Sequence, residues 1–166
     1  MALTRKRFLI AKEESTYGTD PTPVGGSDAV QVTDLEVTPI ESDNVTAGTL
    51  QGFLGNSTRS TLVANKRVSV TFGVELAGSG TAGTAPAYGP LLKACGLSET
   101  VVADTSVTYA GLSSSFDSAT IYCFYNGTRH KITGCRGTVT FSLVGGQFAA
   151  ANFEMIGIYN APDNTS

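Results

Sequence analysis

The chain has 166 residues, a length typical of one domain with a sizeable core. Hydrophobic residues make up 41% and charged residues only 15%, which favours a β-rich protein whose surface is largely Ser, Thr, Asn and Gly. The net charge of −3 argues against a surface that holds DNA or RNA tightly. No apolar run approaches the roughly 20 residues that a membrane helix requires. The apolar run after residues 5–7 is too short for an export signal, so we expect synthesis in the cytoplasm.

Taken in chain order, residues 11–28 are rich in turn formers and are interpreted as an extended arm. A strand is predicted next, with a phase slip near Asp34 that is typical of a β-bulge. Its apolar positions are Val30, Val32, Leu35 and Val37. Pro39 is predicted to end this strand.

A polar stretch from Glu41 to Asn65 follows, too long for an ordinary loop in a compact domain. Its scattered apolar residues are Val45, Leu50, Phe53 and Leu54. Two interpretations stay open: an arm that packs on another subunit, and a flexible surface loop.

Residues 66–97 combine a strand, a glycine-rich loop and a short helix of about ten residues. The strand has strict alternation with one apolar face, formed by Val68, Val70, Phe72, Val74 and Leu76. Pro86 lies near the predicted start of the helix and Gly96 just past its end. The loop from Gly78 to Gly83 matches G-x-G-x-x-G, but the helix begins too late and no second strand–helix unit follows, so we expect no dinucleotide site.

The rest of the chain predicts strands. Val107 and Tyr109 indicate a short one, and residues 119–125 are apolar on both faces, as in a well-covered strand. Asn126-Gly127 is a strong hairpin signal and favours a type I′ turn. Residues 134–137 are interpreted as a bend or bulge. Two further strands have apolar faces at Val139, Phe141 and Leu143, and at Ala149, Ala151, Phe153 and Met155.

The chain has three cysteines, Cys95, Cys123 and Cys135, and one histidine, His130. Their spacing fits no metal site, so we expect reduced structural thiols, no metal and no cofactor. Cys123 would lie across the predicted hairpin from His130, which suggests a thiol nucleophile with its base. No residue that would orient such a base is identifiable, and we predict that the chain is not an enzyme.

Together these elements predict a mainly β fold: an antiparallel two-sheet sandwich or partly open barrel with one short flanking α-helix. Several strands would have a weakly charged polar face opposite the apolar one. Such a face is either ordinary protein surface or the lining of a wide aqueous channel in an oligomer.

The order of three motifs resembles the tail tube (major tail) proteins of tailed bacteriophages. The motifs begin at Tyr17-Gly-Thr-Asp-Pro, at Leu76-Ala-Gly-Ser-Gly-Thr-Ala-Gly with Leu91-Leu-Lys-Ala-Cys-Gly after it, and at Asn126-Gly-Thr-Arg-His-Lys-Ile-Thr-Gly-Cys-Arg-Gly. The resemblance implies a structural virion protein in which six subunits form a ring and rings stack into the tube. Genomic DNA would pass through the lumen during ejection.

The resemblance also implies a division of the chain into an N-terminal arm (1–28), a single tail-tube β-domain (29–160) with the long loop 41–65, and a C-terminal tail (161–166). Candidate lumen-facing residues are Ser69, Thr71, Glu75, Thr138, Thr140 and Ser142. Arg67, on the same predicted strand, would depart from the usual anionic tendency of the lumen. Candidate contacts between subunits or rings are Val45, Leu50, Phe53, Leu54, Arg5 and Arg7.

The implied partners are copies of the chain itself, other phage tail proteins and DNA in transient, non-specific passage. The protein would be located in the phage tail of the virion after synthesis in the cytoplasm of the host bacterium. The alternative function from the residues alone is a ligand- or glycan-binding β-sandwich module for capsid decoration or adhesion. The absence of Trp makes glycan binding through aromatic rings a weaker fit.

Overall fold

The structure is a computed structural model that describes residues 7–46, 61–125 and 127–164. Within these ranges the chain forms ten strands and one short helix. They are β1 (Arg7–Glu13), β2 (Ala29–Val30), β3 (Thr33–Thr46), β4 (Thr61–Glu75), α1 (Gly89–Ala94), β5 (Leu97–Val102), β6 (Ser106–Gly111), β7 (Ala119–Tyr125), β8 (Thr128–Ser142), β9 (Ala150–Tyr159) and β10 (Asp163–Asn164).

Most strands belong to one antiparallel sheet in the order β2-β1-β7-β8-β9-β4-β3, with β10 beside β8. β5 and β6 form a separate hairpin. β8 belongs to both halves of the main sheet, because its first part pairs with β7 and its last part with β9. The register shifts between Thr133 and Arg136, and Gly134 has a φ of +62° there. This bulge is the predicted one, and the resulting bend lets the two halves pack on each other.

The core lies between the two halves and forms one cluster of buried side chains. Its largest members are Phe153, Leu9, Leu91, Ile121, Ile132 and Met155. Phe72 stacks on Phe153 with ring centroids 5.3 Å apart, which joins the predicted apolar faces of β4 and β9. The prediction of a mainly β, antiparallel fold with one short helix is therefore confirmed.

The helix α1 closes one end of the core with Leu91, Leu92 and Ala94. It has six residues rather than about ten, because Pro86 lies in the preceding turn, where its carbonyl accepts from Gly89 N. Gly96 ends the helix with a φ of +84°, as a glycine after a helix commonly does.

The Glu14 carboxylate ties together three segments that are distant in sequence. Its oxygens accept hydrogen bonds from Ser118 Oγ (2.6 Å), Thr120 Oγ1 (2.6 Å), Gly134 N (2.7 Å) and Gly18 N (2.8 Å). Burial raises the pKa of this carboxyl, but the four hydrogen bonds outweigh burial, and the pKa lies below its ordinary value of 4.5. Glu14 thus holds the start of β7 and the bulge of β8 in place.

Segment 14–28 lies over the outer side of β7. Tyr122 donates a hydrogen bond to Asp20 Oδ2 at 2.5 Å, and Lys131 contacts the same oxygen at 3.2 Å. This cover explains why β7 is buried on both faces, as its sequence predicts.

Three predicted boundaries differ from the structure. Pro39 does not end β3, which continues to Thr46; proline is tolerated there because β3 pairs only with β4 among the described residues. Residues 41–46 and 61–65 of the predicted loop are paired strand, while 47–60 lie outside the described residues. Part of the predicted arm, residues 7–13, is the sheet strand β1.

The predicted single strand over residues 30–37 is two strands. β2 pairs with β1 and β3 pairs with β4, so the chain crosses here from one half of the sheet to the other. Asp34 has a φ of +50° at this crossing, next to the predicted bulge. The strand β5 was not predicted, and Asp163 of the C-terminal tail pairs with Arg129 of β8.

We expect Glu14→Gln to lower the free energy of unfolding by at least about 2 kcal/mol at pH 7, because hydrogen bonds to a charged group are among the stronger ones. Since the folded-state pKa of Glu14 is depressed, its contribution to the free energy of unfolding is present above about pH 4.5 and is lost as the pH falls through the folded-state pKa. Urea unfolding across this pH range is the measurement. Glu75→Gln, at an exposed carboxylate, is the control; equal pH profiles for Glu14→Gln and the native chain would contradict the assignment.

Candidate assembly surfaces

The six candidate lumen residues lie on one face of the main sheet. Residues directly opposite each other on antiparallel strands share a face. Glu154 of β9 is opposite both Thr71 of β4 and Thr138 of β8, and Ala150 is opposite both Glu75 and Ser142. Ser69 is opposite Ile156 and Thr140 is opposite Asn152. Both partners are two residues from Glu154 along β9 and therefore lie on the same face. We call this surface of β8, β9, β4 and β3 the polar face.

The charges on the polar face are mainly acidic. Glu75 and Glu154 are exposed there, and Glu36 of β3 joins them opposite Thr71. Arg67 lies on the same face opposite Glu41; its Nε is 3.0 Å from Glu41 Oε2, and its Nη1 is 3.8 Å from Asp43 Oδ2. Arg67, the cation expected to break the anionic character, is therefore paired with two carboxylates. Arg136 is a second cation on this face, opposite Ile156.

The four strands behind the polar face end in two sheet edges. Among the described residues, β3 pairs only with β4, and residues 137–142 of β8 pair only with β9. Just before this stretch, the Arg136 guanidinium donates to the carbonyl oxygens of Phe116 and Asp117 and covers the end of the edge. Unpaired backbone on such edges is a template for strand pairing with another chain.

The candidate contact residues fall into three groups. Val45 of β3 is exposed and lies opposite Leu62 of β4. Arg7 is engaged within the chain, since its Nη1 donates to Leu35 O at 3.2 Å and its guanidinium lies 5.0 Å from the Tyr125 ring centroid. The remaining candidates lie outside the described residues: Arg5, Leu50, Phe53 and Leu54.

The turn between β8 and β9 exposes four apolar side chains, two of which, Phe141 and Leu143, the strand pattern had assigned to the apolar face. Phe141 is 49% exposed, Leu143 73%, Val144 52% and Phe148 84%. The alternation was read correctly, but the core ends before these positions. The signal available in the sequence was the adjacent pair Gly145-Gly146, which places them at a turn.

Cys123 is opposite His130, as predicted, but the chemistry does not suit a nucleophile. Burial raises the pKa of the Cys123 thiol to about 12, so the thiol is protonated near pH 7. Burial also lowers the pKa of His130. Cys95 and Cys135 are likewise free thiols whose pKa is raised by burial.

The glycine loop ends before α1 begins at Gly89, so its third glycine does not lie in the helix as the dinucleotide fingerprint requires. Ser79 Oγ bonds to the carbonyl oxygens of Thr81 and Thr84, and Gly83 packs against the turn between β5 and β6. A cavity of about 250 Å³ lies beside the loop, and Tyr88 is the one aromatic residue in its lining. An adjacent groove along the same loop is lined by two aromatic rings, Tyr88 and Tyr109. Among the described residues, no helix has the length and apolar character needed to cross a membrane.

A weakly charged sheet face, bare sheet edges and exposed apolar ends are typical of a structural subunit that assembles with other chains. The model of the phage tail tube protein family matches residues 4–166, so the chain belongs to that family. Among solved structures, the chain is similar to the anti-feeding prophage cap, a tube-terminating cap seen by cryo-electron microscopy. That similarity has a TM-score of 0.57 at 8% identity, and covers 99% of this chain and 92% of the cap chain. No curated protein sequence matches the chain.

Two neighbouring residues of β9 test the assignment of the faces. Phe153→Ala should lower the free energy of unfolding by about 3–5 kcal/mol, because it opens a cavity against Phe72. Asn152→Ala, on the polar face, should change it by no more than about 0.5 kcal/mol. Chemical denaturation of both variants is the measurement, and similar losses would mean that the polar face is part of a folded core.

Proposed function

We propose that the chain is the subunit of a phage tail tube in which hexameric rings stack around a lumen through which DNA passes during ejection. The observation that carries the proposal is the polar face of four strands, bounded by two edges that have no further strand partner among the described residues. Membership of the tail tube family supports the structural role, and the count of six subunits rests on the resemblance to that family.

Ring closure follows from the two edges. When β3 of one subunit pairs with residues 137–142 of β8 in the next, the four-stranded faces join into a continuous closed sheet. Each subunit offers one edge of each kind, so the contact repeats around a ring. Closing the sheet also removes the exposed edges that would otherwise attract other chains.

The composition of the polar face suits the passage of DNA. Serine and threonine hydroxyls keep the surface wet, and Glu75 and Glu154 repel phosphates. Arg67 is paired with Glu41 and Asp43. Arg136, on the same face, donates to the carbonyl oxygens of Phe116 and Asp117. The face therefore offers DNA little free positive charge. Tight phosphate binding requires several such cations, so DNA would move along this lumen without being held.

The proposal places the protein in the virion tail, together with other tail proteins, after synthesis in the host bacterial cytoplasm. The predicted absence of enzymatic activity belongs to the same proposal. A protonated Cys123 thiol and a family of structural tail proteins support it.

Cysteine pairs across the two edges test ring closure. We expect at least one of the double variants Thr38→Cys/Thr138→Cys, Thr38→Cys/Thr140→Cys and Thr38→Cys/Ser142→Cys to give a covalent ladder up to six subunits after mild oxidation. These positions share the polar face, and the pairing of the two edges brings one such pair together. Denaturing gel electrophoresis gives the subunit count.

The single-cysteine variants are the controls and should stop at dimers, because the native thiols are largely buried. Rings or tubes in electron micrographs without a ladder from any double variant would contradict the edge pairing. Strictly monomeric protein at all concentrations would contradict the tube itself.

A charge reversal tests the lumen. We expect tubes of Glu154→Lys to retain DNA in a salt-sensitive manner, because each subunit then adds a cation to the polar face. The control is Ser113→Lys/Ser114→Lys, which changes the net charge by the same +2 at exposed positions in the loop between β6 and β7. Nuclease-protected DNA on purified tubes is the measurement, and equal retention by the two variants would show that the polar face does not line the lumen.

A further inference from the structure

The glycine loop and the β5–β6 hairpin border a groove of about 450 Å³, which we call the loop groove. Most of its lining comes from residues 78–84 and 105–109, and the rings of Tyr88 and Tyr109 both contribute to it. Its volume lies within the range of small-ligand sites, about 300–1,000 Å³. None of the lining residues belongs to the strands of the polar face. The proposed tube function therefore leaves the loop groove without a role.

Both tyrosine rings of the loop groove are held in place by their hydroxyl groups. Tyr88 Oη donates a hydrogen bond to Ala77 O at 3.0 Å, and Tyr109 Oη donates one to Glu99 Oε2 at 2.5 Å. Each ring also packs against the hydrophobic core. Because the rings are fixed before a ligand arrives, little binding free energy is lost to ordering them.

The glycine loop is braced by its own hydrogen bonds. Ser79 Oγ lies 2.8 Å from Thr84 O and accepts a hydrogen bond from Thr81 N at 3.3 Å, while Thr84 N donates to Thr81 O at 3.2 Å. A phosphate-binding loop directs such N–H groups at its ligand. Here two of them are used within the loop, which argues against a phosphate ligand.

The lining of the loop groove has no charged side chain among the described residues. Anionic ligands are normally held by Arg or Lys, and hard metal cations by carboxylates. Hydroxyl-bearing side chains are present instead: Ser79, Thr81, Thr84, Thr105 and Ser106. The hydroxyl groups of Thr84 and Ser106 make no hydrogen bond to another described residue. The lining therefore suits a neutral ligand that carries hydroxyl groups.

The loop groove is open at a part of the molecule that the structure describes. Every residue that lines it lies within the described range 61–125. The described ends that flank residues 47–60 lie at the opposite end of β4 from Glu75, which the glycine loop follows. The outermost described residues, Arg7 and Asn164, pair with the β7–β8 hairpin.

We propose that the loop groove binds a neutral saccharide chain. The C–H face of a pyranose ring is apolar and stacks on an aromatic ring, as Tyr88 and Tyr109 offer here. The hydroxyl groups of the sugar then exchange hydrogen bonds with the serine and threonine side chains. This site adds a ligand to the subunit and does not depend on ring closure.

The neighbouring cavity of about 250 Å³ favours a chain of sugars over a single one. It shares Gly78, Ser79, Pro86 and Tyr88 with the loop groove. A chain of several units would extend from one space into the other past Tyr88. We therefore expect a tetrasaccharide to bind more tightly than the corresponding monosaccharide.

A substitution that fills the loop groove tests the site. The probes are cellotetraose, maltotetraose and chitotetraose, and the native full-length chain should bind at least one of them in isothermal titration calorimetry. Gly78→Leu should lower that affinity at least about tenfold, because the new side chain takes the space of the ligand. Gly78 lines both the groove and the cavity, and a Cβ added there meets open space, so the fold should tolerate the change.

Gly111→Leu is the matched control. It adds the same side chain at the last residue of β6, where a Cβ also meets open space, and Gly111 does not line the loop groove. This variant should bind the probe as the native chain does.

A second pair of variants tests the stacking. Tyr109→Leu removes the ring face and should lower the affinity about tenfold, whereas Tyr109→Phe keeps the ring and should retain most of the affinity. Equal losses in the two variants would contradict stacking on Tyr109.

Three results would overturn the saccharide site. They are no binding of any of the three probes at millimolar concentration, equal binding by Gly78→Leu and Gly111→Leu, and binding of a polyproline peptide instead of the saccharides. The last result, if abolished by Gly78→Leu, would make the groove a peptide site.

Tube formation is measured separately by electron microscopy, and Gly78→Leu should form tubes as the native chain does. Native tubes that bind no probe would overturn the saccharide site alone. Probe binding by a chain that forms no tubes would support the site and contradict the proposed function.

Discussion

The fold depends on one buried carboxylate. Glu14 follows β1, yet it accepts hydrogen bonds from the start of β7, from the turn at Gly18 and from the bulge at Gly134. Where the bulge bends β8, the strand passes from one half of the sheet to the other. A charge this deeply buried is tolerated because its hydrogen bonds replace those to water. This single group therefore links the end of β1 to the start of β7 and to the bulge of β8.

The bend has a direct consequence for function. It separates the half of the sheet that is covered on its outer side by segment 14–28 from the half that has a bare polar face. Serine, threonine and glutamate on β8 and β4 share that face only because β9 lies between the two strands in the observed register. The sheet order thus collects residues about seventy positions apart into one surface, the one that we propose lines the lumen.

Much of this was predictable from local patterns. Strict alternation identified β4 and β9, the double-sided apolar run identified β7, and Asn126-Gly127 with the later glycines identified the hairpin and bulge of β8. The errors arose where local rules depend on position in the sheet. A proline would end a central strand, but Pro39 is accepted within β3, which lies at the edge of the sheet. Leu143 has the alternation of a core residue, but it lies beyond the end of the core.

By itself the sequence determined the strand periods, the turns and the low charge, because these follow from backbone sterics and from the alternation of side chains along a strand. Tertiary structure alone decided which strands are neighbours, which edges stay bare and how far the core extends. These features depend on pairing between segments distant along the chain, whose register no local pattern specifies. The polar face, its two edges and the exposed turn between β8 and β9 are therefore properties of the folded chain, although every residue in them was visible from the start.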